Sequence, residues 1–295
     1  MLDSVSLTNG KLDAAQIDQY WDNGYLHPIR VISEEDASAL RAELEAIEAK
    51  WLDNGLPQPL NTYRRLNSHI VIPMVAKTAC DARLTDVVQG VLGPDVMIFS
   101  AEFFIKEPKT KHIVSMHQDL TYWGLGAIDG LVTAWLALST ATVESGCMDF
   151  VKGSHKNEIL PHNDTYSEDN LLSRGQEVEV DVAPEDKVAI ELQPGEMSLH
   201  HGLTIHGSGP NMSDDRRIGL VIRYIRPDMQ QQVGDHKDYA MLACGVDNHH
   251  NFHPVPTPTE DFPPEAVALH EEIRQQQAAV MMKGAKNTSA SGMYD

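Results

Sequence analysis

The apolar residues of this chain change their period near residue 95. Before that point they recur at helical spacing. Leu12 to Trp21 reads as a helix that Asn23-Gly24 stops, and Tyr25 to Val31 as a short strand. Ser33-Glu34-Glu35-Asp36 has the form of a capping box with Asp in the place of Glu. It opens a helix over 37–51 whose Leu40, Leu44, Ile47 and Trp51 share one face. From Val96 onward short β-rich runs are separated by Gly, Pro, Asn and Asp: 96–105, 131–139, 148–151, 178–182, 188–192, 198–206 and 217–225. This punctuation predicts a mainly β fold of jelly-roll type, a double-stranded β-helix, rather than βαβ units.

The same pattern lays out one domain over residues 1–283. A helical part (about 12–95) leads into a jelly-roll core (about 96–226) and a C-terminal extension (about 227–283). In the extension, proline-rich 254–264 runs into a helix over 264–281. Residues 284–295 are small and polar and read as a flexible tail.

Composition narrows the setting. Among 295 residues, 42% are hydrophobic and 22% charged, as in ordinary globular proteins. No apolar run is long enough to span a bilayer, so no membrane partner is expected. The N-terminus lacks the basic and apolar regions of a signal peptide. Cys80, Cys147 and Cys244 are dispersed and odd in number, which suits reduced thiols and a cytoplasmic location better than a disulfide framework. A formal net charge of −20 repels phosphate backbones and argues against nucleic acid as a partner. The oligomeric state is not legible at this level.

The sharpest local signal is Met116-His117-Gln118-Asp119. In an extended segment residues i and i+2 project to one face, so His117 and Asp119 can chelate one cation. One imidazole and one carboxylate are two legs of a facial triad, whose third leg is another histidine. With 14 histidines in the chain, an HxD pair taken alone is weak. The run Ser198 to Tyr224 strengthens it. Two β-rich stretches flank Pro210-Asn211-Met212-Ser213-Asp214-Asp215, which reads as a hairpin turn. A hairpin pivoting between Asn211 and Met212 sets His206 opposite Arg217, with Ser208 on the same face. A guanidinium fork beside a hydroxyl suits a carboxylate. His200 shares the parity of His206 but would oppose Arg223, and has no serine two residues on. His155 and His162 read as cap or surface residues, Asn211 as a turn residue.

These segments resemble the phytanoyl-CoA dioxygenase family. The resemblance rests on H-Q-D at 117–119, A-W-L-A-L at 134–138, G-C-M-D-F-V-K-G-S-H-K at 146–156, H-G-S-G-P-N from His206, Arg217 eleven residues after His206, and W-D-N-G-Y-L at 21–26. It spans roughly residues 15 to 255. Val151-Lys152 departs from the family, which often has proline before G-S-H. The resemblance implies a cupin-like oxygenase that takes Fe(II), with 2-oxoglutarate and O2 as co-substrates, and releases succinate and carbon dioxide. By it, His117, Asp119 and His206 bind iron and are the catalytic center. Arg217 and Ser208 hold the far carboxylate of 2-oxoglutarate, Trp135 lines the cofactor, and Lys106 is a further cofactor contact. Halogenating relatives carry a small residue in place of the carboxylate, so an intact Asp119 implies hydroxylation.

For the substrate the sequence offers position and charge only. Tyr122 and Trp123 follow the HxD pair and read as substrate wall. Arg64 and Asn67, in Y-R-R-L-N at 63–67, belong to the notable positive cluster of an acidic chain. If an arginine there points inward, a small anionic or zwitterionic metabolite fits, an aminophosphonate or amino-acid derivative being the specific expectation. Two other readings stay open: a jelly-roll metal enzyme without 2-oxoglutarate, such as a cupin-type isomerase or dioxygenase, and a non-catalytic binding module.

Overall fold

The computed structural model describes residues 4–121, 123–126, 129–164, 170–172, 176–179, 182–233 and 237–281. The N-terminal part is helical apart from one strand. Helix α1 (Ala14–Asn23) begins at a full capping box between Asp13 and Gln16 and ends at Gly24, whose φ of 84° is the left-handed conformation that glycine adopts freely. Strand β1 (Tyr25–Arg30) follows, then α2 (Glu34–Trp51), where the Ser33 hydroxyl accepts from the Asp36 amide at 3.0 Å. Three short helices complete this part: α3 (Leu60–Arg65), α4 (Pro73–Ala79) and α5 (Ala82–Leu92).

Two sheets form the barrel. The strands are β2 (Val96–Lys106), β3 (Val114–His117), β4 (Leu131–Ala137), β5 (Met148–Val151), β6 (His162–Asp164), β7 (Gln176–Val178), β8 (Lys187–Ile190), β9 (Glu196–His201), β10 (His206–Ser208), β11 (Arg217–Ile225), β12 (Tyr239–Cys244) and β13 (His253–Pro254). The larger sheet runs β1-β9-β4-β11-β2-β12-β13 and the smaller β3-β10-β5-β8, while β6 and β7 pair separately. The barrel thus recruits β1 from the helical part and β12 and β13 from the C-terminal extension. Helix α6 (Pro264–Met281) is the last element among the described residues. Residues 284–295, expected as a tail, lie outside the described residues.

Strand β11 shows why the larger sheet reads as a continuous apolar run. All nine of its residues are buried. Ile218, Leu220, Ile222 and Tyr224 pack outward, in one cluster with Leu44 of α2, Val75 of α4 and Val88 of α5. The alternate residues Arg217, Val221 and Arg223 line the barrel interior. Burial on both faces removes the polar alternation that a half-exposed strand would show.

Two expectations need correction. The predicted strand 198–206 is two strands. It breaks at a turn where the Thr204 amide donates to the His201 carbonyl at 2.9 Å, and where a Cβ on Gly202 would strike the Leu120 side chain. Nor is 210–215 a hairpin. β10 pairs with β3 and β5 in the small sheet, whereas β11 pairs with β2 and β4 in the large one. The linking segment crosses between the sheets. It is anchored by Asn211, whose Nδ2 donates to the carbonyls of Lys106 (3.0 Å) and Asp215 (2.9 Å).

Candidate active site

His117 and His206 are direct cross-strand partners on β3 and β10. Asp119 is not in extended backbone, as the i, i+2 argument required. It opens a 3-10 turn just after β3 ends. The carboxylate still returns to the pair: Oδ1 lies 3.5 Å from His117 Nε2 and 3.9 Å from His206 Nε2. The ligand atoms of all three lie within 4.8 Å of one another, and all three residues are buried. Gln118 turns the other way, donating to the carbonyls of Leu203 and Glu158. Each imidazole is oriented through its far nitrogen: His117 Nδ1 sits 2.8 Å from the Ser115 carbonyl and His206 Nδ1 2.9 Å from that of Thr204. A carbonyl can only accept, so Nδ1 carries the proton and Nε2 presents its lone pair to the center.

The other oxygen of Asp119 is held from below. Thr133 Oγ1 donates to Oδ2 at 2.9 Å, His200 Nε2 lies at 3.5 Å and Arg223 Nε at 3.9 Å. These groups are register partners in one row of the large sheet, Tyr25–His200–Thr133–Arg223–Ser100. Burial pushes the Asp119 carboxyl upward, but Arg223 and the surrounding imidazoles outweigh it and hold it well below the usual range. Burial, together with His117 and His200, keeps His206 well below its ordinary value. An ionised carboxylate beside a neutral imidazole is the state that binds a divalent cation. Two imidazoles and one carboxylate on a buried, one-sided face match the donor set of a facial-triad iron site.

At the far end of the same cavity lies Arg217, only 1% exposed. Its Nη1 donates to the Gly146 carbonyl at 3.0 Å, but Nε and Nη2 are buried with no hydrogen-bond partner. Burial lowers its pKa to about 10. Such orphaned donors cost free energy unless an anion meets them. Ser208 lines the cavity beside it, and its Oγ accepts from Lys106 Nζ at 2.7 Å. Lys106 is the cross-strand partner of Arg217. It stands behind Ser208, fully buried, and burial beside Arg217 lowers its pKa to about 6. Trp135 walls this end, with the Arg217 guanidinium 5.3 Å from its ring center.

Further residues of the same cavity bear on substrate. Arg65, not Arg64, lines it, its guanidinium 4.1 Å from the Phe104 ring center. Adjacent residues of a helix project about 100° apart; Arg64 on α3 therefore turns to Glu48 of α2, in an ion pair outside the cavity lining. Asn67 sits behind the wall, donating to Gln277 Oε1 at 2.8 Å. Trp123 lines the cavity, 4.6 Å from the Arg223 guanidinium, and Tyr122 lies outside the described residues. Sequence reading missed Ser100, Glu102 and Thr133. A signal existed: they are isolated polar residues at alternate positions in otherwise apolar strands, and buried polar groups need a reason.

The chain matches the family model described as phytanoyl-CoA dioxygenase (PhyH) over residues 20–219. It is 29% identical over 160 residues to a Caenorhabditis briggsae protein named phytanoyl-CoA dioxygenase domain-containing protein 1 homolog. That match covers 52% of this chain, which spans only about half of the relative's length (55%). A Stutzerimonas stutzeri protein named "Probable alpha-ketoglutarate-dependent hypophosphite dioxygenase" is 25% identical over 247 residues, covering 78% of this chain and 85% of its own. Among solved structures, one titled "non-heme monooxygenase; ThoJ apo" superposes with a TM-score of 0.81 at 26% identity, over 92% of this chain and 99% of that one. This chain belongs to the phytanoyl-CoA dioxygenase (PhyH) family.

Proposed function

We propose that this chain is an Fe(II)- and 2-oxoglutarate-dependent dioxygenase that hydroxylates an unactivated C–H of a small anionic or zwitterionic metabolite, with succinate and carbon dioxide as co-products. The observation that carries this reading is the pairing of the His117–Asp119–His206 cluster with the orphaned Arg217 guanidinium in one cavity. A metal enzyme without a carboxylate co-substrate would leave that buried charge unexplained.

Iron with 2-oxoglutarate would supply the oxidising chemistry, through decarboxylation of the co-substrate. The protein supplies placement. His117 and His206 present Nε2, and Asp119 presents Oδ1 while Thr133 holds its Oδ2. Arg217 and Ser208 take the distal carboxylate, and Lys106 buttresses the Ser208 hydroxyl from behind. Trp135 and Val221 wall this end and exclude water. An intact Asp119 occupies the position that a halide would need, which favors hydroxylation. For the substrate, two arginines in the cavity lining, Arg65 and Arg223, support a small charged metabolite, of which an aminophosphonate or amino-acid derivative is our specific reading. The name of the Stutzerimonas relative, with its small phosphorus oxyanion, points the same way.

The test is titration of 2-oxoglutarate into the anaerobic Fe(II) protein, followed by the visible metal-to-ligand charge-transfer band. A screen of small metabolites for substrate-dependent succinate then identifies the product as substrate plus one oxygen by mass spectrometry. Absence of the band in protein that binds iron would overturn the assignment.

A further inference from the structure

The described lining of the cavity carries charges of both signs. Besides Arg217 and the metal cluster, the described lining residues include two guanidiniums, Arg65 and Arg223, and two carboxylates, Glu102 and Asp238. Glu102 and Arg223 form a 2.6 Å ion pair in the cavity lining, each less than a tenth exposed. Arg223 is held there by Ser100 at 3.3 Å and by the Trp123 ring. Its Nε lies 3.9 Å from Asp119, so the pair borders the reaction center. Gln231 lines the same cavity, and its amide nitrogen and oxygen are both buried without a hydrogen-bond partner.

Electrostatics separates the ligand classes. A net anion placed on a preformed Arg–Glu pair gains from the guanidinium and loses to the carboxylate beside it, and a cation meets the reverse. A zwitterion laid antiparallel on the pair gains at both ends and leaves no uncompensated charge in a buried site. We propose that the cavity beside the metal cluster binds a small zwitterion, its ammonium against Glu102 and its acidic group, a carboxylate or phosphonate, against Arg223. This rests on the oxygenase reading only for what happens next; the binding site stands on Glu102, Arg223 and Gln231 themselves.

The experiment compares three size-matched panels: amino acids with aminoalkylphosphonates, the same acids lacking the amine, and the same amines lacking the acid. Binding is read two ways, by thermal shift of the metal-free protein and by perturbation of the charge-transfer band of the anaerobic Fe(II)–2-oxoglutarate form. Hits should concentrate among the zwitterions, and the carboxylate and phosphonate arms identify which acid is recognised. Glu102→Gln keeps the shape and removes the ammonium's partner, so affinity for those hits should fall about ten- to a hundredfold. Selectivity should move toward the matched anion, while 2-oxoglutarate affinity is retained. Glu102→Asp should restore part of the loss. Hits only among anions or only among amines, zwitterion hits indifferent to Glu102→Gln, or no hits in any panel would each overturn the proposal. Loss of the charge-transfer band with thermal-shift hits intact would instead overturn the oxygenase reading and leave this one standing.

Discussion

His206 and Arg217 face one cavity from opposite sheets of the barrel: His206 is paired with His117 and Phe150 in the small sheet, Arg217 with Lys106 in the large one. Eleven residues of sequence therefore span the barrel rather than a hairpin. The gap between them has room for a ligand, which direct cross-strand neighbors would not provide.

Arg217 supplies the first prediction. Removing one partner of a buried charge pair costs roughly 3–5 kcal/mol, so Arg217→Ala should weaken 2-oxoglutarate binding by about two to four orders of magnitude. Arg217→Lys keeps the charge but loses the fork and should fall in between. Iron affinity should change far less. Anaerobic titration of the charge-transfer band measures both constants; an unaltered 2-oxoglutarate affinity in Arg217→Ala would move the carboxylate site elsewhere.

Asp119→Ala removes the anionic ligand and should abolish both stable iron binding and hydroxylation. The fold should survive, because the main apolar core lies on the other face of the large sheet. Iron content after gel filtration, with circular dichroism as the folding control, decides it.

Thr133 holds the second oxygen of Asp119 at 2.9 Å. Losing such an outer partner typically costs about 10–100-fold in metal affinity. Thr133→Val should show that loss against a competing chelator, and Thr133→Ser should recover it. Equal affinities in all three proteins would mean that the bond does not position the ligand.

Gly219 lies beneath the Trp135 indole, where any Cβ would collide with the ring. Gly219→Ala should push that indole toward the cofactor end, destabilising the protein by about 1–3 kcal/mol. Denaturant melts read the stability, and weakened 2-oxoglutarate binding reads the displaced wall. A neutral result in both assays would show that the ring has somewhere else to go.

Lys106 gives a pH signature. Its pKa is lowered from 10.5 to about 6 in the folded protein, by burial and then by Arg217. Between those values the unfolded chain binds more protons than the folded one, so this residue's contribution makes stability rise as pH increases from about 6 toward 10. Lys106→Met should flatten that part of the profile in cofactor-free protein. A slope that survives the substitution would assign the pH dependence to other groups.

Local order was legible in the sequence wherever it depends on neighbors along the chain. The Ser33 cap, the stop at Gly24 and the period of β11 follow from near-neighbor sterics and hydrogen bonding, and each stands where the pattern put it. The convergence of the motifs was legible too: His117, Asp119 and His206 come together, with Arg217 and Ser208 in the same cavity. What only the tertiary structure decided is which strands face each other. Parity predicts the face of a strand, but a turn such as 202–205 can send two residues of equal parity to different sheets, as it does His200 and His206. Partners distant in sequence were equally out of reach. Thr133 beneath Asp119, Glu102 beside Arg223, and Arg65 rather than Arg64 at the cavity wall are set by sheet order and helix docking, which arise from burial of the whole core. No local pattern carries that information, because the free energy selecting it is summed over contacts between segments that are not neighbors in the sequence.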